Sequence, residues 1–350
     1  MFLQTEDMKT WVRLFLCFSF LLLISEATAV AQDLRFAQLG DFKVESGEFI
    51  RACRIGYRTF GRLNDNKSNA ILFTTWASGT TEQLQSNIGR DKLVDDSKYF
   101  VIAIDALSNG VSSSPSNSQL QPRMRFPKVT IRDMVNTQHE VLTKTLHLDH
   151  LRAVIGISMG GMQTFQWMVS YPDFMDKAIP IVGSPQLAPY DLLLWQAQVD
   201  TIMNDRGWNN GNYKQNPARA AEAEFAALLL TTPENYNKHM TRRQVFEELE
   251  KEMKQTGFDA NDKIRQAQAM IALDVTEPFA GSMDRAAAAV KARVLVIVAN
   301  LDHVVTPGPA LAFAKLIHSQ LLILESDCGH MSPGCESQKV NQAVADFLMR

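Results

Sequence analysis

Gly156-Ile157-Ser158-Met159-Gly160 constrains this chain more than any other five residues. It lies where an apolar run, Leu151 to Ile157, gives way to a helix-like run beginning at Gly160. A serine between two glycines at such a junction reads as a strand-turn-helix elbow carrying a nucleophile. The turn is so tight that the residues two positions either side of the serine have no room for large side chains, and glycine at both relieves the crowding. The hydroxyl then stands at the tip of a sheet, facing whatever binds there. A small-residue turn chosen for packing would need no chemistry; the strand before and the helix after favour the nucleophile.

Serine is a poor nucleophile until an imidazole takes its proton, and the imidazole needs a carboxylate to fix its tautomer and stabilise its charge. The apolar run Val294 to Ala299 ends in Asn300-Leu301-Asp302, placing Asp302 just past a buried strand. The run Leu321 to Leu324 leads into Glu325-Ser326-Asp327-Cys328-Gly329-His330. Ser158, Asp302, His330 is the chain order of the α/β-hydrolase arrangement and differs from the chymotrypsin and subtilisin orders. Each member has a plainer reading. Asp302 could cap the helix that Pro307 helps to start. Asp105, after the strand Phe100 to Ile104, is the rival acid, although it precedes the serine. His303 reads as a solvated loop residue, and His139, His147 and His150 fall on or after the amphipathic stretch Ile131 to Leu148, where surface positions are expected.

Acyl transfer also needs donors for the developing oxyanion. In this arrangement one backbone N–H comes from the residue after the nucleophile, Met159, and another from the loop after the third strand. Ala70 to Thr74 reads as that strand, followed by Thr75-Trp76-Ala77-Ser78-Gly79. The N–H of Ala77 is the expected second donor, with Trp76 as the alternative.

With 350 residues, 46% hydrophobic and 21% charged, the chain is ample for one large α/β core and an insertion. A net charge of −3 gives no electrostatic case for nucleic acid. No Walker loop, dinucleotide glycine fingerprint, zinc spacing or repeat is present, so no cofactor or metal is expected.

The amino terminus differs in kind. Lys9 and Arg13 precede an apolar stretch, Leu14 to Ile24, and small residues follow at Ala27, Ala29 and Ala31. This is the layout of a secretory signal over residues 1–31, with cleavage expected after Ala29 or Ala31. The expected product is exported, periplasmic or secreted; a retained anchor is the alternative. Cys17 lies inside the apolar stretch, away from a lipoprotein cysteine's place. Cleavage would leave Cys53, Cys328 and Cys335, an odd number. Cys328 and Cys335 bracket His330, so a disulfide bracing the histidine loop and a pair of reduced thiols both fit the sequence.

Roughly one hundred residues separate the strand Ile179 to Ser184 from Val294, far more than a crossover requires. They include an Asn-rich loop at Asn209 to Asn216, an Ala-rich helix near Ala218 to Leu230 and a charged helix near Arg242 to Lys254. Residues 186–285 are therefore read as a helical cap inserted between core segments 32–185 and 286–350. Within it Met240, Phe246 and Leu249 are expected to be helix core. Trp76 and Trp195 are candidates to line a pocket, and Phe165 is assigned to the core.

Over nearly all of the mature sequence the chain resembles the homoserine O-acetyltransferase family. The likeness rests on Ile131-Arg132-Asp133-Met134-Val135, the extended elbow Ser158 to Gln163, Trp167 with Tyr171-Pro172-Asp173, and Phe258 to Asp262. It implies an α/β-hydrolase fold, a mostly parallel eight-stranded sheet flanked by helices with an inserted helical cap. It also implies nucleophile, acid and base roles for Ser158, Asp302 and His330. There are departures. The family follows its catalytic histidine with an aspartate that helps hold the substrate's ammonium, and Met331 stands here. It carries an arginine and a tyrosine in the first cap helices, and Ala221 to Thr232 has neither. Its oxyanion loop is usually His-Ala-Leu-Thr-Gly, replaced here by Thr75-Trp76-Ala77-Ser78-Gly79. An ammonium deprived of a charge-assisted partner loses ~1.5 to 3 kcal/mol. Acetyl-CoA is, moreover, a cytosolic metabolite. The expected reaction is hydrolysis of a small-molecule ester, with acyl transfer from acyl-CoA to a hydroxyl as the alternative and a non-catalytic binding protein as a third reading. The residues are silent on assembly; the resemblance is compatible with a homodimer.

Overall fold

Buried strands here read as unbroken apolar runs because the sheet is covered on both faces. Val294, Val296 and Val298 of one strand point into one hydrophobic cluster while Leu295, Ile297 and Ala299 point into the other, the period-two alternation of a pleated strand. Residues 33–254 and 257–350 are described by the computed structural model, so the expected leader, 1–31, lies outside the described residues.

Eight strands form one sheet: β1 (Arg35–Lys43), β2 (Phe49–Phe60), β3 (Ala70–Thr74), β4 (Phe100–Ile104), β5 (Leu151–Ile157), β6 (Met175–Ile181), β7 (Arg293–Ala299) and β8 (Gln320–Leu324). Their spatial order is β1-β2-β4-β3-β5-β6-β7-β8. The β1–β2 and β2–β4 pairs are antiparallel, and every pair from β4 to β8 is parallel. This is the mostly parallel α/β architecture expected from the sequence. After β3 the chain steps to one side for β4 and returns to the other for β5, so the loops after β3 and β5 diverge around a crevice. Ligands of open α/β sheets bind at such a reversal.

Helices α1 (Ile131–Glu140) and α2 (Met159–Ser170) pack on each other. A capping box starts α1: the Thr130 hydroxyl accepts the Asp133 N–H, and the Asp133 carboxylate accepts that of Thr130. His139, expected at the surface, is half-buried, its ring stacked on Tyr171 at 3.9 Å between centroids and edge-on to Phe174. The reason is tertiary: the last turn of α1 faces the aromatic group that follows α2. Burial holds the His139 pKa below its ordinary value. His147 and His150 are exposed, as expected.

Between β6 and β7 the chain is helical: α3 (Pro189–Asn204), α4 (Arg219–Leu229), α5 (Pro233–His239), α6 (Arg242–Lys254), α7 (Ala260–Ile271) and α8 (Met283–Ala289). Helices α9 (Gly308–Leu316) and α10 (Ser337–Met349) complete the core. None of the described helices is long and apolar enough to cross a membrane. The expectation of helix core at Met240, Phe246 and Leu249 fails. Helix α6 buries none of its residues, Phe246 is 70% exposed, and Met240 and Leu249 are only half-buried. The apolar spacing is right, yet among the described elements it is α4 that packs on α6, and it covers that face only in part.

Candidate active site

Ser158 adopts φ 58°, ψ −120° at the head of α2, a left-handed conformation that costs a non-glycine residue about 1–3 kcal/mol and persists only where its surroundings fix it. Those surroundings are explicit. A Cβ on Gly156 would lie 2.1 Å from the Gly160 carbonyl oxygen, and one on Gly160 would lie 2.6 Å from that of Thr74. The Thr74 hydroxyl donates to the Gly160 carbonyl at 2.9 Å, and the Ser158 N–H donates to Ile181 O at 2.9 Å. Glycine at both positions is thus a steric requirement of the elbow.

The three residues expected to act together do meet. Ser158 Oγ lies 2.9 Å from His330 Nε2, and His330 Nδ1 lies 2.6 Å from Asp302 Oδ2. The other Asp302 oxygen accepts the Val304 and Val305 N–H groups at 2.8 and 3.0 Å, so the carboxylate is oriented before the imidazole reaches it. All three side chains are buried. The rival acid takes no part: Asp105 accepts the Thr81 N–H and hydroxyl, both at 2.8 Å, and Asn109 Nδ2 at 2.7 Å. It ties β4 to the one-turn helix Thr81–Leu84, and burial pushes its pKa up. His303 is half-buried with Nε2 against Leu228 O, away from the Ser158 hydroxyl that His330 occupies.

His330 sits in a clamped loop. Cys328 and Cys335 form a disulfide around it, while Cys53 is a buried free thiol. Burial pushes the Cys53 thiol up to about 12 and leaves it unreactive. Ser332 Oγ donates to Gly329 O at 2.7 Å. From the cap side the Thr232 hydroxyl donates to Asp327 O at 2.6 Å, and the Met331 N–H donates to Leu230 O at 3.2 Å.

The loop after β3 is pinned at both ends. Gln163, on α2, donates through Nε2 to Thr75 O at 2.9 Å. Gln266, on α7, accepts the Ser78 N–H through Oε1 at 2.7 Å. Ala77 lies between these fixed points, on the wall of the cavity that also holds Ser158 and His330. Among the hydrogen bonds of the described residues, neither the Ala77 nor the Met159 N–H is given to another protein group. Met159 is the first residue of α2, where N–H groups lack intrahelical partners.

The cavity measures about 720 Å³. Its cap side presents Trp195, Phe225, Leu229 and Met270 together with the ion-paired Glu222 and Lys263, 3.2 Å apart. Its core side reaches Leu93 and Val340, and Met331 stands on its wall beside the histidine. Trp76 and Trp195 thus line it as expected, whereas Phe165 is buried edge-on to Phe313. Among the described residues no cluster of His, Cys, Asp and Glu could hold a metal ion.

Sequence reasoning missed Asp191, Gln163 and Gln266. Asp191, in the first turn of α3, accepts the Thr306 N–H and hydroxyl and so fixes the segment that follows the acid. Burial raises its pKa, with the Asp302 charge adding. An acidic residue just after Pro189, at a helix start, is its only sequence trace; Gln163 stands in the extended elbow and Gln266 carries none.

Residues 78–333, well over half of the chain, match the family described as alpha/beta hydrolase fold. An ethyl acetate hydrolase from Pseudomonas veronii is 32% identical over 325 residues, covering 88% of this chain and 92% of the relative. A homoserine O-acetyltransferase from Methanococcoides burtonii is 28% identical over 357 residues, covering 88% and 72%. The solved structure of an acetylester hydrolase from Corynebacterium glutamicum superposes with TM-score 0.85 at 29% identity, covering 91% of this chain and 96% of the other.

Proposed function

The chain belongs to the α/β-hydrolase-fold family, a homoserine O-acetyltransferase-like enzyme within it, and on that premise we propose that it hydrolyses carboxylic esters through an acyl-serine intermediate. Ser158 Oγ attacks the ester carbonyl carbon while His330 Nε2 takes its proton, and Asp302 stabilises the imidazolium. The negative oxygen of the tetrahedral intermediate accepts the Ala77 and Met159 N–H groups. When that intermediate collapses, the bond to the alcohol breaks and His330 gives its proton to the departing alkoxide. Water then attacks the acyl-serine, His330 takes its proton, and collapse releases the carboxylic acid and restores the Ser158 hydroxyl.

The observation that carries this reading is the relay itself, 2.6 Å from acid to base and 2.9 Å from base to hydroxyl, opening on a largely apolar cavity. The esterases among the relatives support hydrolysis over transfer. So does Met331, which offers a substrate ammonium no charge. The acetyltransferase relatives support the alternative, in which a hydroxyl acceptor replaces water at the same acyl-serine. Purified protein should release p-nitrophenol from p-nitrophenyl acetate and react with a fluorophosphonate probe, and Ser158→Ala should abolish both. Faster acetylation of homoserine from acetyl-CoA than ester cleavage would move the assignment to the transferase. Absence of labelling would leave a binding protein.

Export through the 1–31 leader belongs to the same proposal. The Cys328–Cys335 bridge is of a kind that persists in oxidising compartments. Protein recovered from producing cells should begin at residue 30 or 32 by mass spectrometry; an intact amino terminus in the cell interior would overturn it.

A further inference from the structure

We infer that Gln266, on cap helix α7, is a positioning residue for the oxyanion loop, so that part of the cap is built into the catalytic apparatus; this rests on the ester-cleaving reading above. Gln266 is 1% exposed and uses both ends of its amide. Oε1 accepts the Ser78 N–H at 2.7 Å, and Nε2 donates to Leu107 O at 3.3 Å. The first bond spans 188 residues of sequence. It removes the Ser78 N–H from competition as an oxyanion donor and leaves Ala77 as the last free N–H before the turn closes, where Gly79 N–H donates to Trp76 O at 3.0 Å.

The loop has reason to need holding. Ser78 sits at φ 62°, a conformation that favours glycine. A Cβ on Gly79 would lie 2.6 Å from the Trp76 ring, so the turn is folded tightly against its own indole. Gln163 fixes the carbonyl at the start of the loop, and Gln266 is the bond from the opposite side. The helix that carries it is a rigid mount. Arg265, its neighbour, donates through Nε and Nη2 to Phe126 O at 3.1 and 2.7 Å and through Nη2 to Met124 O at 3.0 Å. Asp262, one turn earlier, accepts the Ser116 N–H at 2.9 Å. Three polar side chains of one helix therefore bolt to the core, and one of them reaches the loop that holds Ala77. Oxyanion donors act through placement relative to the reacting atoms, and losing one donor lowers turnover by roughly 10²–10³-fold. A donor left in place but free to drift loses less.

The test is Gln266→Met, which keeps the volume and removes both hydrogen bonds, beside Gln266→Glu, which keeps an acceptor for the Ser78 N–H. For p-nitrophenyl acetate, Gln266→Met should lower kcat by roughly 10–100-fold with KM within about threefold. Inhibition by a trifluoromethyl ketone, whose adduct with Ser158 carries the oxyanion, should weaken in parallel. Gln266→Glu should restore kcat to within about fivefold of wild type. A raised KM at unchanged kcat would make Gln266 a substrate contact and overturn the proposal, as would equal losses in the two variants or a kcat loss in Gln266→Met below about twofold. If Gln266→Met does not fold, Gln266→Glu against wild type decides, and a loss near 100-fold rejects the idea. A wild-type protein that neither cleaves the ester nor reacts with a fluorophosphonate would instead refute the ester-cleaving reading, so the two failures are distinguishable.

Discussion

Helices α6 and α7 are neighbours in the same insertion, and they are built on opposite principles. Nine of the twelve residues of α7 are buried, among them Asn261, Asp262, Arg265 and Gln266. Helix α6 buries none, although it carries Val245, Phe246, Leu249 and Met253. The more polar burial belongs to the helix that touches the core. Its charged and amide groups are inside because loop backbone groups at Ser78, Leu107, Ser116, Met124 and Phe126 need partners there, and a buried polar group without one costs about 1–3 kcal/mol. The apolar residues of α6 stay half-buried or exposed because α4, the described helix that packs on it, covers that face only in part. Apolar content alone does not decide which part of a cap is structural.

The contrast can be broken in four ways, beginning with the centre whose cavity α7 lines and α6 does not reach. His330→Ala should lower kcat/KM for p-nitrophenyl acetate by about 10⁴-fold or more, since triad members act as a unit; near-normal turnover in steady-state assays would remove His330 from the mechanism and α7 from any part in it. Next comes the mount. Arg265→Ala strands the Met124 and Phe126 carbonyls and opens a void, and should cost roughly 2–4 kcal/mol in urea unfolding. A loss under about 1 kcal/mol would make α7 no better anchored than α6.

A smaller effect follows from Asp262, whose carboxyl is pushed up to about 7 by burial, with the Asp259 charge adding. Its ordinary value is about 3.9, so between those values the folded chain holds the proton more tightly than the unfolded one. That contribution to stability is full below about pH 4, declines as pH rises and is gone above about pH 7. Wild type minus Asp262→Asn, compared by thermal unfolding at pH 5 and pH 8, should show wild type losing roughly 2–3 kcal/mol more over the interval. An unchanged difference would mean that Asp262 is ionised in the fold. The smallest effect belongs to α6: Phe246→Ala should change stability by no more than about 0.5 kcal/mol, the usual range for surface substitutions. A loss above 2 kcal/mol by denaturant titration would show that α6 is packed after all.

The same contrast explains what could be read from the chain in advance. Ser158, Asp302 and His330 were legible because each follows its own apolar strand, and strand followed by turn is a local pattern. Trp76 and Trp195 were recognisable as wall residues by size and neighbourhood. Gln266 and Arg265 were not, because their partners are backbone groups 139 to 188 residues away, and backbone groups leave no mark in a sequence. The segment Phe258 to Asp262 carried the family likeness without disclosing that Asp262 reaches Ser116. His139 and Phe246 were misplaced for one shared reason: periodicity tells which face of a helix is apolar, and only tertiary contact tells whether that face, or its opposite, is covered.

Strands β7 and β8 lie at the far margin of the sheet and bring Asp302 and His330 to Ser158 from late in the sequence. During synthesis Ser158 therefore emerges long before Asp302 and His330. Until those last two strands have docked on β6 and on each other, Ser158 has neither the imidazole nor the carboxylate within reach, so on the proposed mechanism a polypeptide ending before them is expected to cleave no ester.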